Sequence, residues 1–182
     1  MVEKWGENPD LKSFLTILPQ KIIRGRTRKG GDGMLTGEYR HAIDTKKRLF
    51  IPAKHRDVLG TSFIIVRDLY EPCLKVYSIE EWKAFVAPID EMDPDESAPI
   101  LRYLYRDSVS VDGDLDSQGR VTLNNTLIAR AGIVKDAVIV GCGRYAEIWA
   151  AEEYDAKMEE EDVAAIAASL RKLRREARGV KA

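Results

Sequence analysis

An aspartate followed four residues later by an arginine occurs twice in short polar stretches of the chain, as Asp44-Thr-Lys-Lys-Arg48 and, 72 positions on, as Asp116-Ser-Gln-Gly-Arg120. If each stretch is a tight turn, its Asp and Arg can face each other across the strand ends. A carboxylate there would hold the guanidinium in one orientation. A guanidinium so held offers two parallel donors, which suit a phosphate or the edge of a guanine. Lys46 and Lys47 add charge at the first tip. A plainer reading stands beside this one: each pair clips its own turn shut, and the lysines are solvated tip residues. Asp44 and Asp116 read first as structural, while for Arg48 and Arg120 both readings stay open. Gly119 occupies the turn position where a left-handed backbone is expected, which glycine adopts freely. Lys47 takes that place in the first turn, at an expected cost of about 1–2 kcal/mol.

Other chemistry is thinly supplied. His41 and His55 are the only histidines, Cys73 and Cys142 the only cysteines, and none of them shows metal-ligand spacing. Both cysteines are expected as buried free thiols. No nucleophile elbow, phosphate-binding loop or cysteine–histidine spacing appears. Neither catalytic residues nor a metal or cofactor is expected, and the chain does not read as an enzyme. The carboxylates of 152–162 read as a solvated helix face. Trp82, Tyr103, Tyr105, Trp149 and Tyr154 have the spacing of packing residues. The net charge of −1 is uninformative, but its distribution is not. Residues 20–30, 34–60 and the last twenty are basic, while Asp90, Glu91, Asp93, Asp95 and Glu96 form an acidic segment. On composition alone, ordinary charge segregation on solvated helices is the favoured reading, although basic turns and acidic helices also suit a protein that turns one face toward a polyanion.

The elements that must position the turns also recur. Tyr77-Ser-Ile-Glu-Glu-Trp82 returns at the same 72-residue shift as Trp149-Ala-Ala-Glu-Glu-Tyr154, so the chain reads as an internal duplication around a pseudo-twofold axis. In the first copy, Tyr39–Ile43 and Arg48–Ile51 read as a hairpin. A short helix runs from Pro52 to Leu59, Phe63–Val66 and Cys73–Tyr77 are strands, and Ser78 caps a helix bearing Ile79, Trp82, Phe85 and Val86. Another helix is expected to start at Pro99. The second copy repeats the order. Ser108–Leu115 and Val121–Leu123 flank the turn, Asn124 or Asn125 caps a short helix that Gly132 ends, and Ala137–Val140 and Tyr145–Trp149 close the set. A single last helix is expected from Glu152, with Val163, Ile166, Leu170 and Leu173 on one face and Arg171 to Arg178 at its basic end. The fold class is mainly β with flanking helices (α+β), and the two halves should interleave into a small barrel that leaves no sheet edge.

The domain boundaries read as 34–86 and 108–155 for the two like halves, 87–107 for an acidic linker and helix, and 156–182 for an amphipathic C-terminal helix. Residues 1–33 read as a flexible basic extension ending in Arg24-Gly-Arg-Thr-Arg-Lys-Gly-Gly-Asp-Gly33, with a short helix carrying Leu11, Phe14, Leu15 and Leu18. Met34 follows at once and is itself a candidate initiator. No apolar run approaches the ~18 residues of a membrane span, and no secretory pattern opens the chain. A cytoplasmic protein is expected.

Met34-Leu-Thr-Gly-Glu-Tyr-Arg-His-Ala-Ile-Asp-Thr-Lys-Lys-Arg-Leu-Phe-Ile-Pro-Ala-Lys-His-Arg56 resembles the opening of the MraZ family of bacterial transcription regulators. Pro72 to Trp82, Asp116 to Arg120 and Val140 to Trp149 resemble its later blocks, so the likeness spans about residues 34–155. The resemblance implies a double-split β-barrel of two AbrB-like βαββ halves, assembled into ring-shaped homo-oligomers with the D-x-x-x-R turns on one rim. It implies nucleoid-associated binding to double-stranded DNA at promoter direct repeats, and repression of the division-and-cell-wall gene cluster together with the regulator's own gene. Carried over by position, Arg48 and Arg120 contact DNA, with Lys46 and Lys47 beside them, and Asp44, Asp116 and Gly119 orient the motif. Two residues depart from the family pattern: Lys47 stands where glycine is usual, and Asn124 where proline is usual. Several such modules on one rim would gain through effective concentration, and their affinity should fall steeply with salt. The alternative is an AbrB-like antitoxin-type module that binds a protein partner; such modules are usually single-copy, which the duplication argues against.

Overall fold

Backbone pairing mixes the two halves of the repeat. The computed structural model describes residues 33–179. Its elements are β1 (Glu38–Ala42), β2 (Arg48–Phe50), α1 (Ala53–Leu59), β3 (Ser62–Arg67), β4 (Cys73–Ser78), α2 (Ile79–Asp90), α3 (Pro94–Arg106), β5 (Val109–Asp112), β6 (Arg120–Thr122), α4 (Asn125–Arg130), β7 (Asp136–Gly141), β8 (Tyr145–Ala150), α5 (Ala151–Glu160) and α6 (Val163–Gly179). The extension and helix expected within 1–32 lie outside the described residues.

The strands form a six-stranded sheet in the order β1-β7-β8-β4-β3-β5 and a two-stranded ribbon of β2 with β6. Exchanging the halves reverses the sheet order and leaves it unchanged. At the centre the symmetry extends to register. Leu49 pairs with Val121, and Lys75 with Glu147, and the members of each pair are one repeat apart. The expected hairpins open out. The bond from Asp44 N to Arg48 O (3.1 Å) closes the first turn. Beyond it, β1 pairs with β7 and β2 with β6, each a strand of the other half.

The pairing is that of an open sheet, not a closed barrel, because β1 and β5 remain edges. β5 is four residues long and stops where Gly113 turns left-handed (φ 75), short of the strand expected through Leu115. β1 alternates exposed and half-buried residues, and its Arg40 grips Asp155 of α5 through two bonds of 3.0 and 2.7 Å. Short, charged edges of this kind resist pairing with another chain.

One face of the sheet, the ribbon, α1 and α4 enclose the main core. Leu35, Leu49, Phe63, Ile65, Leu74, Leu127 and Ile148 are fully buried there. The opposite face is covered by α2 and α3 through Ile64, Tyr77, Trp82, Val86 and Leu104. α5 covers the same sheet farther along, through Trp149 and Tyr154. Trp82, Trp149 and Tyr154 are buried as expected, and Tyr105, though half exposed, accepts a bond from Trp82 Nε1 at 3.0 Å. Cys73 is buried, but Cys142 is exposed, because the chain turns there just beyond β7.

Two helix boundaries differ from the sequence reading. α3 begins at Pro94, where Asp93 caps by accepting from Asp95 N at 2.9 Å, and it carries Pro99 in its interior. The expected last helix is two. Asp162 accepts from Ala164 N and Ala165 N at 2.9 and 3.1 Å, and so starts α6 afresh. Val163, Ile166, Leu170 and Leu173 of α6 stay exposed. Among the described residues, no helix is long and apolar enough to cross a membrane.

Gly141 sits where β7 passes the chain entering β1, and its N–H donates to Gly37 O at 2.9 Å. A Cβ there would collide with Thr36 N and the Leu35 carbonyl. Gly141→Ala is expected to destabilise the fold by about 2 kcal/mol or more, read as a lowered midpoint of thermal unfolding; an unchanged midpoint contradicts this close approach.

Candidate nucleic-acid interface

Each turn is built by its own aspartate. Asp44 Oδ1 accepts from the backbone N–H groups of Lys46 and Arg48, both at 2.9 Å. Asp116 Oδ1 does the same for Gln118 and Arg120, both at 3.0 Å. Such local side-chain-to-backbone bonds fix a turn without help from the rest of the fold. The third tip residue of each turn is left-handed: Gly119 at φ 78 and Lys47 at φ 61. Lys47 is the only non-glycine residue with positive φ among those described. It bears this strain with its ammonium bonded to Asn125 Oδ1 on α4. The neighbouring Asn124 caps α4, accepting from Leu127 N at 2.7 Å.

The second carboxylate oxygen of each aspartate holds the arginines. Arg48 Nε and Nη2 lie 2.8 and 2.7 Å from Asp44 Oδ2. Arg120 Nε donates to Asp116 Oδ2 at 2.8 Å. The ribbon then sets the two turns side by side, so the pairs cross. Arg48 Nη1 donates to Asp116 Oδ2 at 3.1 Å, and Arg120 Nη1 comes within 3.7 Å of Asp44 Oδ2. All four side chains lie about the axis and remain 26–29% exposed. The arginines are neither sealed in the core nor aimed at opposite sides. They are also not free arms, since each is clamped from both turns.

The formal charges of the four side chains cancel. What the group presents is therefore direction: guanidinium forks in fixed orientation, each with N–H groups to spare. Net positive charge comes from the exposed Lys46 and Lys47 beside it. Elsewhere, His41 lies edge-on to Phe50 (centroids 4.9 Å apart), and burial lowers its pKa. His55 is buried, with Nε2 3.1 Å from Thr36 O. The described residues contain no cluster of three His, Cys, Asp or Glu side chains suited to a metal. The sequence reading passed over Arg56. Its guanidinium lies over Gly119, and its Nε donates to Ile51 O at 3.1 Å. A signal for it was present: at the 72-residue shift, Arg56 aligns with Ile128 just as Lys47 aligns with Gly119.

The bonds from Arg48, first its side chain and then its backbone, hold the Asp44 carboxyl down at about 2. Asp116 is lowered chiefly by the backbone N–H of Arg120. A carboxyl whose folded pKa lies below the unfolded value of ~3.9 stabilises the fold above that value. The contribution is lost as pH falls from about 4 toward 2. Thermal unfolding midpoints should therefore drop over that window in the wild type and drop less in Asp44→Asn. Parallel curves for the two proteins contradict the clamp.

The MraZ protein family model, whose description also likens the family to antitoxins, matches residues 34–99 and 110–176. Each segment contains one of the two turns. A transcriptional regulator MraZ from Dictyoglomus turgidum is 37% identical over 132 residues, covering 71% of this chain and 88% of the relative. Those from Lactobacillus helveticus and Limosilactobacillus reuteri are 38% and 40% identical over 129 and 127 residues, covering 70% and 67% of this chain and 88% and 85% of the relatives. Two matched segments and relatives covered nearly end to end carry one conclusion: the chain belongs to the MraZ family.

Proposed function

We propose that the chain is a transcription regulator that binds double-stranded DNA directly, with no catalysis and no cofactor. The observation that carries this reading is the crossed Asp44–Arg48–Asp116–Arg120 group, clamped on the axis with its guanidinium groups partly exposed and lysines at its side. In this reading Arg48 and Arg120 supply directional donors to base edges or phosphates, Lys46 and Lys47 supply charge to phosphates, and Asp44, Asp116 and Gly119 hold the geometry. The relatives named as transcriptional regulators support it.

The finer reading follows the family. The chain acts as a repressor on promoter direct repeats of the division-and-cell-wall cluster and of its own gene, in the cytoplasm at the nucleoid. Its halves, 34–86 and 108–155, are AbrB-like units whose sheet and ribbon together correspond to a double-split barrel. The exchange-symmetric strand order supports that correspondence. Homo-oligomers, as rings, align several turn pairs with several repeats. The exposed apolar stripe of α6 supports association with another protein surface. The same stripe favours the second reading, an antitoxin-type module with a protein partner.

The test is fluorescence anisotropy on a duplex taken from just upstream of the chain's own gene, with assembly checked by light scattering. Arg48→Lys keeps the charge and loses the fork. It is expected to bind about 10–100-fold more weakly, since a bidentate contact contributes ~1–3 kcal/mol, with an unchanged oligomer. Full binding by Arg48→Lys contradicts the assigned role. A wild-type protein that ignores the duplex but recovers one stoichiometric small protein in a pull-down supports the second reading.

A further inference from the structure

The two turns meet the other half differently, and the difference concerns charge. At the first turn, Lys47 itself reaches across to α4 and bonds Asn125. At the second, Gly119 has no side chain, and Arg56 of α1 fills the space. A Cβ on Gly119 would lie only 2.7, 2.8 and 2.9 Å from Arg56 Cζ, Nε and Nη1. Sequence positions one repeat away complete the exchange, because Ile128 stands where Arg56 has its counterpart. Each turn thus carries one cation over its left-handed residue, supplied from the tip in one case and from the opposing helix in the other.

Arg56 is fixed at one end and open at the other. Its Nε donates to Ile51 O at 3.1 Å, and its Cζ lies 5.8 Å over the Phe50 ring. Neither Nη group has a hydrogen-bond partner, and no carboxylate pairs with the guanidinium, among the described residues. Arg48 and Arg120 differ in this respect, since their charges are balanced by Asp44 and Asp116. Covering Gly119 requires only bulk, which a neutral side chain of like length supplies. A half-buried guanidinium held against a turn with its charge unbalanced suits an anion.

We infer that Arg56 is a further DNA-contacting residue, taking a backbone phosphate at the second turn as Lys47 does at the first. This rests on the DNA-binding reading above and extends it. The test measures affinity for the same promoter duplex across a series of salt concentrations. The proteins are the wild type, Arg56→Gln and Arg56→Lys, each checked for folding and assembly. Losing a phosphate contact lowers the slope of log affinity on log salt by about 0.9. Arg56→Gln is expected to bind roughly 5–30-fold more weakly at moderate salt, with a slope reduced by about one for each subunit on the DNA. Arg56→Lys, which keeps the charge, is expected to keep the wild-type slope. A wild-type slope in Arg56→Gln overturns the assignment and leaves the DNA-binding reading intact, as does a reduced slope in Arg56→Lys. A wild-type protein that does not bind the duplex at all overturns both.

Discussion

The structure depends on one strand pairing: β2 against β6, with Leu49 opposite Val121 on the axis. The ribbon is only three residues long on each side, and main-chain bonds from Ile51 N to Gly119 O and from Leu123 N to Lys47 O extend it at both ends. Neither half can make this pairing alone. Once made, it brings two turns from distant parts of the chain side by side and lets each arginine reach the carboxylate of both. Two weak local motifs become one composite group, and the same pairing seals the floor of the main core through Leu49, Ile51, Val121 and Leu123.

The crossed group has a consequence for recognition. Partly exposed ion pairs contribute little to stability once solvent screens them. Their value here is geometric. Four side chains whose charges cancel cannot attract a polyanion at long range, but they fix guanidinium forks in place. In the proposed DNA-binding role, attraction would fall to the lysines at the first tip, which are exposed and not balanced in this way. In that role, orientation and charge would be divided among different residues, much as base readout and phosphate contact are divided at DNA interfaces. The open sheet edges are kept short or charged.

Much of the local structure is legible in the sequence, because local bonds create it. Asp44 and Asp116 fix their turns through N–H groups two and four residues on, so the D-x-x-x-R spacing alone implies them. Gly60 and Ser78 mark real helix ends. The 72-residue repeat also implies the two interleaved halves. The rest depends on contacts between distant residues. That β2 leaves β1 for β6 is decided by shared burial, which no window of the sequence contains. That Arg48 reaches Asp116 follows only from that exchange. Asp162 caps a new helix from within an acidic run where it looks like its neighbours. Pro94 and Pro99 are both plausible helix starts, and the Asp93 cap decides between them.

The claim that the two turns act as one unit is tested most directly by a double-mutant cycle on DNA affinity, using Arg48→Ala, Arg120→Ala and the double variant. A composite group predicts that the first substitution removes most of what the second would, with a coupling energy of about 1 kcal/mol or more. Losses that add to within roughly 0.5 kcal/mol would mean two independent arginines, and would contradict a shared site on the axis.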